Sequence, residues 1–198
     1  MVFLVSPART NGLRADQLAV SRSPMGEALR AGRAPLGDVF TWLSALYFRG
    51  KLTYAHAFAE RSTYIMAPGL GLVPAAHPIG VAELRAMAAI DIESDAFAEP
   101  LRRDATRLRH RGHVVLLGSI ATGKYVDTLL DVFGARLVFP ASFVGRGDMS
   151  RGGLLLRAAR AGTQLEYTPV QGAVRHGKRP PRLPRVASTE PRRSARQG

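Results

Sequence analysis

The chain contains no cysteine. That excludes disulfide bridges and thiolate metal sites, and it fits a reducing compartment. Long apolar runs are missing as well. None approaches the roughly 20 residues that span a bilayer. The opening MVFLVSPART has an apolar run too short for a secretory signal core, with no basic residue ahead of it. These absences lead to the expectation of a soluble, cytoplasmic protein with no membrane partner. The five histidines, His56, His77, His110, His113 and His176, are scattered, and the one carboxylate at helical spacing, Glu60 after His56, does not by itself complete a metal site. No metal and no cofactor are expected. Acidic side chains are also few, 15 against 28 basic ones, which leaves a formal net charge of +13.

The positive charge is unevenly placed. Residues 175–198 hold eight basic side chains and one acidic one, a net +7, so +6 remains on residues 1–174. A basic body with a more basic end suits a phosphate-rich partner, here DNA. The last stretch, RHGKRPPRLPRVASTEPRRSARQG, has few large apolar residues and many Pro and Arg. It cannot bury enough surface to offset the entropy of ordering, so residues 173–198 are expected to be a disordered basic tail. Residues 1–172 are long enough for one domain with its own core, and a monomer is expected.

Apolar periodicity outlines the domain. Strands are expected at 2–5, 63–67, 113–117, 136–139 and 165–170. Helices are expected at 13–31, at 36–60 with a break near Gly50, and at 81–89, 95–111, 125–133 and 154–161. This alternation predicts an α/β fold, a three-layer sandwich with a mostly parallel central sheet. In such sheets ligands bind beyond the carboxyl ends of the strands. The loops 6–11, 68–74, 118–124 and 141–153 fall there, and all are rich in Gly, Ser, Thr or Pro.

The loop GSIATGKY (118–125) fits G-x-x-x-x-G-K between a strand and a helix, a phosphate-cradling context. Tyr125 stands where Ser or Thr would meet magnesium, and no strand ends in a partner Asp. A nucleotide-binding phosphotransferase is therefore the lesser reading. A helix N-terminus beside Lys124 still suits a phosphate of any ligand. LYFRGKLTYAHAF (46–58) interleaves rings with Arg49 and Lys51, which suits base stacking plus phosphate contact, although the same rings fit a core-facing helix. RRDATRLRHRG (102–112) carries five arginines, either a solvated face or a phosphate track. In GRGDMSRGG (145–153), Ser150 is expected to cap the following helix.

Four segments, VFLVSPART, YFRGKLTYAHAFAERSTYIMAPGLGLVP, HVVLLGSIATGKY and FVGRGDMSRGGLLLR, resemble in order and spacing a group of small bacterial and phage α/β proteins with a uracil-DNA-glycosylase-like fold. Relatives of that group also occur beside deazaguanine-modifying nucleic-acid enzymes. The resemblance covers roughly residues 2–157. This chain lacks a GQDPY-like and an HPS-like loop, so the resemblance implies a modified base, such as one in phage DNA, in place of uracil, and an anti-phage role.

On that resemblance the chain is expected to be a DNA glycosylase that flips a modified base and cleaves its N-glycosidic bond. Asp148 is the first choice of carboxylate and Asp127 the second. Ser6, Pro7, Tyr47, Phe48, Gly69, Gly71, Ser119, Thr122 and Tyr125 would bind the base. Arg9, Arg49, Lys51, Lys124, Arg146, Ser150 and Arg151 would hold the DNA phosphates. The alternatives are a non-catalytic nucleic-acid-binding module and the phosphotransferase built on 118–125.

Overall fold

The apolar tetrapeptide Val2–Val5 forms β1, buried along its whole length. The computed structural model describes residues 1–121, 123–181 and 183, and of Lys124 the backbone alone. β1 sits inside a six-stranded sheet with β3 (Thr63–Ala67), β4 (Gly71–Val73), β6 (Val114–Leu117), β7 (Leu137–Pro140) and β8 (Tyr167–Pro169), in the order β4-β3-β1-β6-β7-β8. β1 pairs in parallel with β3 on one side and β6 on the other, and β6 pairs in parallel with β7. The two edge strands, β4 and β8, run antiparallel to their neighbours. The sheet is thus mixed but mostly parallel. A separate pair, β2 (Ala34–Pro35) and β5 (Pro78–Ile79), is antiparallel.

Strands buried on both faces need cover on both. The eight α-helices among the described residues supply it: α1 (Leu13–Val20), α2 (Pro24–Arg30), α3 (Leu36–Ser44), α4 (Leu46–Ala59), α5 (Val81–Ala88), α6 (Asp95–Arg107), α7 (Lys124–Phe133) and α8 (Asp148–Ala161). α4 and α8 pack closely together, and α4 lies against β1 and β3. α6 packs on α7 and β4, and α7 on β7. The α4–α8 and α6–α7 pairs form the outer layers of an α/β sandwich, as the right-handed rule for parallel crossovers requires. Phe3 of β1 meets the Tyr54 ring of α4 edge-on at 5.8 Å. The Tyr54 hydroxyl lies 2.5 Å from that of Tyr167 and accepts the Leu165 N–H, which ties β8 to α4.

The expected strands and helices are present, with local differences that have physical causes. The helix expected over 13–31 is two helices, because Ser23 turns the chain out and accepts the Gly26 N–H, while Pro24 starts α2. The break expected at Gly50 falls at Ala45, the one non-glycine residue with positive φ (49°) among the described residues. Gly50 lies inside α4 instead. The loop 68–74 contains β4, since the positive φ of Gly69 and Gly71 turns the chain back on β3. α8 starts at Asp148, six residues earlier than its leucines indicate.

Chain direction gives the sheet a switch point. From β1 the chain crosses to β3 on one side, and it later returns to β6 on the other. The carboxyl ends of β1 and β6 are where such a sheet opens a crevice. Ser6 follows β1 there, its N–H bonded to the carbonyl of Leu117 at 3.1 Å. Among the described residues no helix is long and apolar enough to cross a membrane.

Candidate active site at the ends of β1 and β6

Residues 47, 51, 54 and 58 recur at helical spacing along α4, and this stripe faces the sheet. Lys51 is therefore carried inward among aromatic rings. It is 1% exposed. Its Nζ donates to the Ser6 carbonyl and contacts the Ser6 Oγ, both at 2.7 Å. The rings of Tyr47 and Phe48 lie 4.6 and 5.0 Å from the same nitrogen. Two oxygen partners and two ring faces do not replace water around an ammonium. Burial accordingly lowers the Lys51 pKa from 10.5 to about 7, with the Asp148 charge acting to raise it and Arg151 to lower it.

The Ser6 side chain meets the loop after β6. A Cβ added at Gly118 would stand 3.0 Å from Ser6 Oγ and 2.7 Å from the Tyr125 Oη. Glycine at 118 lets the two hydroxyls close over the strand end. The Tyr125 hydroxyl donates to the Ser119 carbonyl at 2.9 Å. Burial pushes the Tyr125 phenol up to about 12, and burial also raises that of Tyr47. Ser119 Oγ accepts the Ala121 N–H, which shapes the loop.

The first turn of α8 forms the rim. Asp148 is largely exposed, and its Oδ1 lies 3.5 Å from Arg151 Nη1. Arg151 is mostly buried, with its Nε on the Phe143 carbonyl and its guanidinium over the Phe143 ring. α8 can approach α4 this closely because Gly50 and Gly152 face each other. A Cβ on Gly50 would stand 2.7 Å from the Gly152 carbonyl oxygen. Ser6, Tyr47, Lys51, Tyr125, Asp148 and Arg151 thus belong to one electrostatic cluster.

Other expected positions fall elsewhere. Lys51 was expected to hold phosphate, but its nitrogen is turned into the protein. Phe48 is fully buried, edge-on to Phe40 at 5.3 Å, and cannot stack on a base. The Tyr47 and Tyr125 rings are also buried, so they wall the site and do not act as stacking platforms. Gly69 faces Ile90, while Gly71 abuts Asp104 and Pro100 of α6. Arg49 lies in a groove between α4 and α8 with Thr53 and Arg160. Pro7 and Arg9 line a groove of about 630 Å³ with Pro68, Ile90 and Ile92, next to Ser6. Asp127 sits one turn into α7 and pairs with Arg175 at 3.5 Å. Ser150 does not cap α8. Its Oγ accepts from Arg146, which also holds the carbonyls of Ser142 and Pro181. Thr122 and the Lys124 side chain lie outside the described residues.

The phosphate loop loses support. The Asp127 carboxylate closes on Gly123, which puts negative charge where a nucleotide phosphate would lie. The arginines of α6 are engaged as well: Arg103 and Arg107 bind Asp104, and Arg102 pairs with Asp131. Residues 173–181, expected to be disordered, run over the loop before α8, with the Lys178 carbonyl against Gly145.

The Ser6–Lys51 pair was not foreseen. A signal for it existed: Lys51 is one of three lysines among 28 basic residues, and it lies on the apolar stripe of its helix. Comparison with protein-family models, curated proteins and solved structures finds no match to this chain.

Proposed function

We propose that this protein is a DNA glycosylase of the uracil-DNA-glycosylase-like type, cleaving the N-glycosidic bond of a modified base at the ends of β1 and β6. The observation that carries this reading is the contrast between Lys51 and Asp148. One is a buried amine titrating at about 7; the other is an exposed carboxylate at a helix N-terminus that acts on it. A buried amine with a lowered pKa next to a charged carboxylate is the kind of pair that functional sites assemble. The flipped base enters the crevice beside Ser6. Asp148 stabilises the oxocarbenium-like sugar and orients the attacking water. Arg146 precedes the same helix start, and the net charge of +13 supports attraction to the DNA backbone in the cytoplasm.

The test is incubation with DNAs carrying different modified bases, followed by an abasic-site assay and mass analysis of the released base. Wild-type protein releases one base, and Asp148→Asn binds the same DNA without releasing it. Unchanged release by Asp148→Asn removes the carboxylate from the mechanism. Salt-sensitive binding with no abasic product from any DNA replaces the enzyme with a binding module.

A further inference from the structure

Resting on that reading, we propose that Ser6 and Lys51 form a proton relay that supplies the leaving base with its proton, the Ser6 hydroxyl touching the base and Lys51 standing behind it. The geometry permits few other routes. Lys51 Nζ has Ser6 Oγ and the Ser6 carbonyl as its hydrogen-bond partners and the Tyr47 and Phe48 rings as its other neighbours. A carbonyl cannot pass a proton on to a ligand, and the rings carry no exchangeable hydrogen on their faces. The hydroxyl is the connection from the buried amine to the crevice. Gly118 puts no Cβ between that hydroxyl and the Tyr125 hydroxyl, the one other side-chain group among the described residues that hydrogen-bonds Ser6.

The step balances as follows. The C1′–N bond breaks and its electron pair goes to the base. The base takes the proton of Ser6 Oγ–H at a ring nitrogen or carbonyl oxygen. Ser6 takes one from the Lys51 ammonium, which becomes a neutral amine. Water adds to C1′ and gives its proton to Asp148, from which it passes to solvent. Lys51 is reloaded from solvent through Ser6 once the base has left. The relay selects a substrate class: bases with an acceptor facing Ser6 that leave slowly as anions.

The charged and titratable groups acting on this pair come from three helices. They are Tyr47 of α4, Tyr125 of α7, and Asp148 and Arg151 of α8. The two tyrosines stay protonated through the neutral range, since burial raises both. Asp148 favours the ammonium and Arg151 opposes it. The acid form is therefore present below about pH 7 and is lost above it.

Two measurements test the relay. The first needs no substrate: side-chain NMR of protein labelled at its three lysines, with Lys51→Met to assign the signal. A Lys51 midpoint near 7 that falls further in Ser6→Ala is expected. A midpoint shared with the other two lysines, or unmoved by Ser6→Ala, overturns the relay. The second uses oligonucleotides bearing a single uracil, hypoxanthine or 7-deazaguanine, under single-turnover conditions. Base release by wild type falls as pH rises through about 7. Lys51→Met and Ser6→Ala abolish that limb and slow release by about 10²–10⁴-fold, the usual range for general acid catalysis. Ser6→Thr, which keeps the hydroxyl, restores part of the rate. The loss is smaller for bases that leave readily as anions, a dependence that mere misfolding does not produce. Release that is normal in Lys51→Met overturns the relay and leaves the glycosylase standing. Absence of release from every DNA removes the glycosylase and, with it, the relay's role in base departure, while the NMR result still decides whether the two residues share a proton.

Discussion

Gly50 of α4 and Gly152 of α8 meet backbone to backbone. A Cβ on Gly50 would stand 2.9 Å from the Gly152 Cα, and a Cβ on Gly152 would stand 2.9 Å from the Tyr47 Cα. No flexible side chain lies between them to step aside. Gly50→Ala and Gly152→Ala each force the helices apart. Each is expected to cost about 1–3 kcal/mol of stability, as overpacking does. For a chain of this size that lowers Tm by roughly 2–12 °C. Thermal unfolding followed by circular dichroism checks it, and a Tm equal to wild type contradicts the close contact.

Lys51 makes stability depend on pH with a definite sign. Its folded pKa, about 7, lies below the ordinary 10.5. Between these values the unfolded chain holds a proton that the folded chain does not, so stability rises with pH. The slope approaches about 1.4 kcal/mol per pH unit for one proton. Lys51→Met has no such slope and is the more stable protein at pH 7. Urea unfolding at pH 7, 8 and 9 is expected to show wild type gaining on the variant at each step. Parallel curves count against a buried, neutral amine.

Asp104 gives a dependence of the same sign in the acid range, because its folded pKa is also lowered. It accepts the Leu72 N–H at 3.0 Å and binds Arg103 and Arg107, joining α6 to β4. Burial raises its affinity for a proton, but the Arg103 and Leu72 hydrogen bonds and the two arginine charges outweigh that, and its pKa is lowered. The stability it contributes is present above the ordinary carboxyl value of about 4 and is lost as pH falls through the folded value. Asp104→Asn is expected to cost about 1–3 kcal/mol at pH 7. Its deficit shrinks in unfolding experiments below pH 4. A deficit constant with pH excludes the ion-paired carboxylate as its source.

The proposed attraction to DNA carries a salt signature. Residues 184–198 contain four arginines and one glutamate. Truncation after Leu183 is expected to leave the fold unchanged and to reduce the slope of log K against log salt by roughly 3–4, close to one per lost phosphate contact. Fluorescence anisotropy with duplex DNA between 50 and 200 mM salt measures it. An unchanged slope means those arginines do not touch the phosphates.

Much of the fold is readable in the sequence because burial leaves a periodic trace. VFLV, TYIMA and HVVLL are apolar runs bounded by turn residues, and they become β1, β3 and β6. The edge strand β4 was hidden because its pairing depends on two positive-φ glycines, not on an apolar pattern. The start of α8 was hidden because Gly152 and Gly153, poor helix formers, lie in its second turn, where close contact with α4 favours a missing side chain. The site was legible as a place, the loops beyond β1 and β6, but not as chemistry. A lysine in a helix ordinarily faces water. Only the position of Ser6 across 45 residues of chain makes Lys51 a buried partner.

β1 occupies the middle of the sheet and yet is made first. Its pairing with β6 joins residues 2–5 to residues 114–117. During synthesis at about 5–20 residues per second, β6 leaves the ribosome roughly 6–22 seconds after β1. Through that interval an apolar strand has at least one free edge, both until β3 is made, and no crevice beside it. The Ser6–Lys51 contact forms earlier, from residues 6 and 51, than the Gly118–Tyr125 loop that closes over it. Assembly of this site is thus a late event along the growing chain, and nascent chains that end before β6 hold a half-built sheet for chaperones to shield.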